Sequence, residues 1–281
     1  MQDFWIILIV SLLGISASLL GCFLMFRKMA MLTDAISHSI LPGIVIAYLL
    51  LGRKDNVTAL LIASIFGILS SLLVVWIEKK LKNRNDAATG ISFTFLFAVG
   101  IILVTLFAEQ ADLDTECVLF GEMLYIPFET IWVSTNEIPR TLPFALLTFI
   151  LVVLFVLFAY RTMTIISFDE IFAISVGISV TTWNYILLSL VSVLTVASFE
   201  VLGSVLVIAL FIFPPATAFL LTKRLEVMFV LSLIFSVLTI FLGYYLSVWQ
   251  GGSSAASIVI VQGIIFTLAL IYNKKVASVN S

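Results

Sequence analysis

The chain has 281 residues, of which 62% are hydrophobic and 11% charged, with a mean hydropathy of +1.25. A soluble domain carries roughly 25% charged residues, so a water-soluble core is excluded, and the net charge of -2 says little about partners. Two cysteines, Cys22 and Cys117, and a single histidine exclude a disulfide framework, a thiolate metal site and a histidine-rich site built from one copy.

A helix crosses the hydrocarbon with about 20 mostly apolar residues. Nine runs qualify, roughly 4–26, 30–51, 57–77, 88–108, 143–160, 182–199, 202–222, 227–247 and 255–273. The chain therefore reads as an all-α polytopic membrane protein with about 8–9 transmembrane helices. No linker or soluble insert interrupts residues 1–281, which read as one transmembrane domain. In the first run, Leu19-Leu20-Gly21-Cys22 approximates a lipoprotein cleavage motif. A signal peptide wants a basic leader, whereas this one carries Asp3, and Arg27-Lys28 come after the apolar stretch. The run reads as a retained span.

The second run opens with MLTDAISHSILPG, which places Asp34 and His38 inside an apolar segment. Ala30, Asp34, His38 and Pro42 are four apart and so share one helical face. A charge at mid-bilayer costs at least about 2.5–3.5 kcal/mol, so such groups face a partner or a cavity. Two plain readings are a structural clasp and, for Asp34, a place near the headgroups beyond Lys28. The functional reading is ion handling: carboxylate and imidazole together suit manganese, zinc or iron. Two ligands are too few for such an ion, but two copies of the chain around a dyad would supply four. Pro42 has no N–H for the carbonyl of His38, so a bend is expected there.

Lys79, Lys80, Lys82 and Arg84 follow the third run and mark a cytoplasmic loop. Alternation puts Arg27-Lys28, Arg161, Lys223-Arg224 and Lys274-Lys275 on the same side, leaving only Arg53, Lys54 and Arg140 outside. With nine crossings the N-terminus is outside. Glu109, Asp112, Asp114 and Glu116 fall in an outer loop. Residues 117–133, interrupted by Glu122, Pro127 and Glu129, read as a helix lying at the outer interface, with Tyr125 and Trp132 as anchors.

Ser167–Ser179, SFDEIFAISVGIS, is too short and too amphipathic to span. Phe168, Ile171, Phe172 and Ser175 share a face, with Asp169 and Glu170 on another. Ser167 reads as N-cap with Glu170 completing a capping box, and Gly177 as the stop. The helix, about residues 167–178, is expected to lie on lipid or to dock a cytoplasmic partner. In the seventh run Pro214-Pro215 removes two helix donors and frees the carbonyls of Leu210 and Phe211, an expected break of the kind that lines transport routes or simply shapes packing. Glu200 sits near the outer end of that region. There is no GxxxxGK[ST] phosphate loop, and no nucleophile–base arrangement, so the chain does not read as an enzyme. Any ATPase must be a separate polypeptide.

FRKMAMLTDAISHSILPGIVIAYLL resembles the second-span signature of the permease subunits of bacterial manganese, zinc and iron ABC importers. AATGISFTFLFAVGIILV, SFDEIFAISVGIS and LGSVLVIALFIFPPATAFLL resemble that family's fourth-span pattern, cytoplasmic coupling segment and late-span motif, in the same order. Pro214-Pro215 stands where the family usually has Pro-Ala. The resemblance implies an inner-membrane permease moving a divalent metal (Mn, Zn or Fe) by alternating access, with no permanently bound cofactor and ATP on a partner subunit. It implies as partners a cytoplasmic ABC ATPase dimer, an extracytoplasmic metal-binding protein, a second permease protomer (identical or paralogous) and membrane lipid, with no nucleic acid. Asp34 and His38 of both protomers would line the route, and Ser167, Phe168, Asp169, Glu170 and Gly177 would belong to the ATPase-coupling segment. The alternatives are a proton- or potential-driven carrier, which would work without nucleotide, and an ABC permease for a metal chelate.

Overall fold

The computed structural model describes residues 2–39, 41–51, 56–81, 85–107, 123, 126–128, 130–133, 136–222 and 224–279. Its helices are α1 (Gln2–Phe26), α2 (Leu32–Ser39), α3 (Leu41–Leu51), α4 (Asn56–Lys80), α5 (Asn85–Phe107), α6 (Leu142–Phe168), α7 (Glu170–Ser175), α8 (Val180–Leu221), α9 (Leu225–Gln250) and α10 (Ser254–Val279). Two short strands, β1 (Thr130–Val133) and β2 (Asn136–Pro139), lie between α5 and α6. Among the described residues seven helical segments are long and apolar enough to cross a membrane. The apolar part of α4, Ile62–Glu78, is shorter. The outer-loop residues Glu109, Asp112, Asp114, Glu116, Cys117, Glu122, Tyr125 and Glu129 lie outside the described residues, as do Arg53, Lys54, Lys82, Arg84 and Lys223.

Three expectations about continuity are corrected. The run 30–51 is not one span but two helices, α2 and α3, that meet around residue 40. Pro42 explains this: it sits in the first turn of α3, where no N–H donor is required, so it opens a new helix where a bend was expected. Neither piece, at 8 and 11 residues, reaches the roughly 20 residues of a full crossing.

The second correction concerns where the late spans break. Pro214 and Pro215 lie inside α8, and the one residue with non-helical angles within that helix is Gly203 (φ 74°, ψ 162°). The carbonyl of Phe211, deprived of its donor by Pro215, faces the backbone of α1. A Cβ on Gly21 would come within 2.2 Å of it and 2.9 Å of the Pro215 ring. A neighbouring helix thus covers the freed carbonyl, and the proline pair is absorbed without a break.

Gly203 does what the prolines were expected to do. Arg27 hydrogen-bonds Asn184 near the start of α8, while Phe26 packs on Phe219 near its end, with ring centroids 5.7 Å apart. A straight helix would hold Asn184 and Phe219 about 52 Å apart, so the chain reverses between them. α8 is two antiparallel crossings, Val180–Phe199 and Val201–Leu221, as the sequence suggested. Glu200 lies at this reversal, but its side chain is outside what the structure describes.

Third, part of the expected interfacial helix is a hairpin. β1 pairs antiparallel with β2, Thr130 opposite Pro139 and Val133 opposite Asn136. The sequence TIWV is rich in β-branched and aromatic residues that favour strand.

α1 is the central pillar, with 72% of its apolar window buried, against 17% for α5. It packs against α6, α8 and α9. Its end, the end of α4, the end of α6 and the start of α8 converge around Arg27, Glu78, Phe168 and Asn184. That convergence is the side the basic residues mark as cytoplasmic. At the other end, Tyr244 donates a 2.8 Å hydrogen bond to Asp3, which places the N-terminus on the outer side.

Candidate functional site

α2 is positioned by its small polar residues. Thr33, Ser37 and Ser39 are buried, and their hydroxyls donate to the carbonyls of Ala30, Thr33 and Ala35. Back-bonded hydroxyls leave no unpaired donor, and short side chains let helices approach closely. α2 packs in this way against α4, α5 and α8.

The face left over carries Asp34 and His38. His38 Nε2 stands 3.5 Å from Asp34 Oδ1, and the side chains are 37% and 48% exposed respectively. Asp34 and His38 share one stripe of α2 as expected, whereas Ala30 precedes that helix and Pro42 belongs to α3. The separation matches two ligands of one ion: at metal–ligand distances of about 2.1 Å it corresponds to an angle of about 110°. Among the described residues no cluster of three or more His, Cys, Asp or Glu could hold a metal. α2 also ends beside the pair, with Asp34 in its first turn, where a carboxylate suits the helix dipole, and His38 in its last. Half-helix C-termini of this kind attract cations in transporters.

Two residues at this place were missed by sequence reasoning. Phe93 and Phe97 of α5 lie against the imidazole, with ring centroids 5.6 and 5.7 Å from His38, and stack on each other at 5.6 Å. The signal available was the spacing of four, which puts both rings on one face, but nothing in α5 alone points that face at α2.

The cytoplasmic segment forms as a helix, with its cap corrected. α6 runs on to Phe168, and Ser167 donates to the carbonyl of Met163 inside it. The N-cap of α7 is Asp169, whose carboxylate accepts from Phe172 N at 2.9 Å. Phe172 therefore occupies the position where a capping box needs Glu or Gln, so Glu170 completes none. Asp169 wins because its extended backbone (φ -147°, ψ 95°) is the conformation a cap needs. Gly177 does stop the helix. At φ 83° its N–H reaches the carbonyl of Ile174, and Ile178 N reaches Ala173, a Schellman ending. Asp169→Ala should cost about 1 kcal/mol of local helix stability, read as roughly fivefold faster hydrogen exchange at the Phe172 amide. Unchanged exchange would mean the cap contributes nothing. The large apolar residues of this helix are exposed, Ile171 at 82% and Phe172 and Ile174 with it, as is Phe168 at the end of α6.

The chain thus carries a carboxylate–imidazole pair on a broken half-helix and an exposed amphipathic helix at the basic end. A family model described as the ABC 3 transport family matches residues 2–273. The chain belongs to the ABC 3 transport family. Among ABC 3 relatives, it is 37% identical to the manganese transport system membrane protein MntD of Bacillus subtilis, over 96% of this chain and 91% of that one. It is 35% identical to the zinc transport system membrane protein TroD of Treponema pallidum, over 96% and 74%. In structure it is similar to PsaBC from Streptococcus pneumoniae, solved in complex with a Fab, with a TM-score of 0.75 and 27% identity over 95% of this chain and 90% of that one. As an ABC 3 protein the chain is a permease subunit of an ABC transporter, multi-pass in the bacterial cytoplasmic membrane. It is not itself an enzyme.

Proposed function

We propose that this permease moves manganese, zinc or iron inward by alternating access, with Asp34 and His38 as its half of a transient ion site. The observation that carries this reading is the 3.5 Å Nε2–Oδ1 pair, with both side chains partly exposed at the end of a broken helix. A second permease protomer supplies the other Asp–His pair. An extracytoplasmic binding protein delivers the ion, and a cytoplasmic ATPase pair binds and hydrolyses ATP. Few ligands are an advantage, because an ion held too well does not leave. The names of relatives, manganese for MntD and zinc for TroD, support a first-row divalent cargo, and the oxygen–nitrogen donor set fits both. Uptake of radioactive manganese, with zinc and iron as competitors, into proteoliposomes holding permease, ATPase and binding protein tests the reading. Uptake that persists without nucleotide would overturn it.

In this reading α7 docks the ATPase through its free apolar face. Support comes from the exposure of Ile171 and Phe172 on a helix whose Ala173 is buried, with Phe168 exposed at the adjoining end of α6. Ile171→Asp places a charge on the docking face without touching the fold. It should lower recovery of the ATPase on permease affinity purification about tenfold, the scale of a truncated interface anchor. Full recovery would refute the docking role.

A further inference from the structure

The corner between α1 and α2 is gripped by the docking segment and its neighbours. Phe26 packs on Phe168, with ring centroids 5.3 Å apart. Beside it, Arg27 donates to the side-chain oxygen of Asn184 on α8. A cleft of about 330 Å³ gathers Arg27, Glu78, Glu170 and Asn184 around this point. Burial lowers the pKa of the guanidinium, while the carboxylates of Glu170 and Glu78 raise it again. Arg27 is thus a half-buried cation facing α4, α7 and α8.

The backbone on either side of Arg27 is set. Lys28 is the one described non-glycine residue with positive φ, at 57°. Its N–H reaches the carbonyl of Met25 and that of Met29 reaches Leu24, a Schellman ending built without glycine. Leu32 N then bonds Met29 O and Ala35 N bonds Met31 O, so α2 starts directly from this corner. The first helix beyond Arg27 is the one that carries Asp34 and His38.

A half-buried cation that loses a partner is costly, and its charge-assisted bond to Asn184 is directional. Glu170 lines the same cleft and attracts the guanidinium through its charge, so when α7 moves the guanidinium is drawn after Glu170, and the corner moves with it. The aromatic contact of Phe26 is less directional and would tolerate sliding.

We propose that Arg27 is the positioning residue through which displacement of the docking helix α7 reaches the metal-bearing helix α2. The proposal rests on the functional reading above, in which α7 meets the ATPase and α2 holds the ion.

The test uses the whole transporter in proteoliposomes and reads three quantities: ATPase retained with the permease, ATP hydrolysed, and manganese taken up. Arg27→Gln keeps a polar amide donor on a shorter side chain but removes the charge. It should retain the ATPase and its basal hydrolysis while manganese taken up per ATP falls about tenfold, an ordinary size for coupling between sites. Arg27→Lys restores the charge and should recover most of that ratio. Glu170→Gln leaves the Asn184 bond in place and should lower the ratio by a smaller factor, about threefold. An unchanged ratio in Arg27→Gln overturns the proposal, as does a parallel fall of uptake and hydrolysis, which marks a defect of assembly. If Arg27→Gln does not assemble, an unchanged ratio in Glu170→Gln overturns it. Failure of the underlying reading looks different. Ile171→Asp would then keep its ATPase, or Asp34→Ala would transport normally, whatever Arg27 does.

Discussion

Alanine at Asp34 or at His38 is expected to abolish manganese uptake while the ATPase still co-purifies with the permease. Each substitution removes one ligand from this chain's half of the site, and a symmetric pair of protomers loses two at once. Even the outer partners of a metal ligand contribute roughly 10–100-fold to affinity, so loss of the ligands themselves should exceed that. The fold should tolerate the change. Both side chains are partly exposed and contact each other, while α2 is held by its buried face of Leu32, Thr33, Ile36 and Ser37. Uptake by initial rate, with ATPase recovery measured on the same preparation, decides the matter. Normal transport by both variants would remove Asp34 and His38 from the route and leave them as the clasp that the sequence also allowed.

Gly203→Ala is expected to destabilise the fold through the backbone conformation that the glycine holds. At φ 74° and ψ 162° the residue occupies a region open essentially to glycine alone, where other residues pay about 1–3 kcal/mol. The reversal of α8 depends on that conformation, so two crossings are affected together. For a chain of this size the melting temperature should fall by about 2–12 °C. Gly263→Ala is the matched control: it lies in α10 with nothing within 4 Å of the added Cβ, and helix propensity favours alanine there by about 0.5–1 kcal/mol. Thermal melts of the two purified variants should therefore diverge. Equal shifts would mean that Gly203 does not govern the reversal.

The crossings were legible because length and hydropathy are properties of a local stretch, and each apolar run became helix. The Asp34–His38 stripe was legible for the same reason, since helical spacing alone places both groups on one face. What escaped depends on the competition between neighbours. Gly203 and Pro214-Pro215 are both plausible breaks in isolation, but Gly21 supplies a backbone surface that covers the Phe211 carbonyl, and no such compensation moves Gly203 out of positive φ. Ser167 and Asp169 are both good caps by type, and the extension of α6 to Phe168 decided between them. Phe93 and Phe97 are two aromatics of an apolar run, and only the placing of α5 beside α2 sets them against His38. The strands at Thr130–Val133 and Asn136–Pro139 were hidden because a β-branched apolar stretch has the same hydropathy as an interfacial helix.

The contrast between a deeply buried α1 and a thinly covered α5 has a consequence for the path of the ion. Ile91, Phe95, Ile102 and Leu106 expose the outer side of α5, while Phe93 and Phe97 on its other side touch His38. A single helix, about 10–12 Å across, separates the imidazole from whatever lies beyond the chain there. The Asp34–His38 pair is set at the flank of the protomer, away from the pillar at its centre. On the reading proposed above, the conduit is then a seam closed by two chains and not a bore drilled through one, and a lone protomer would hold only one wall of it.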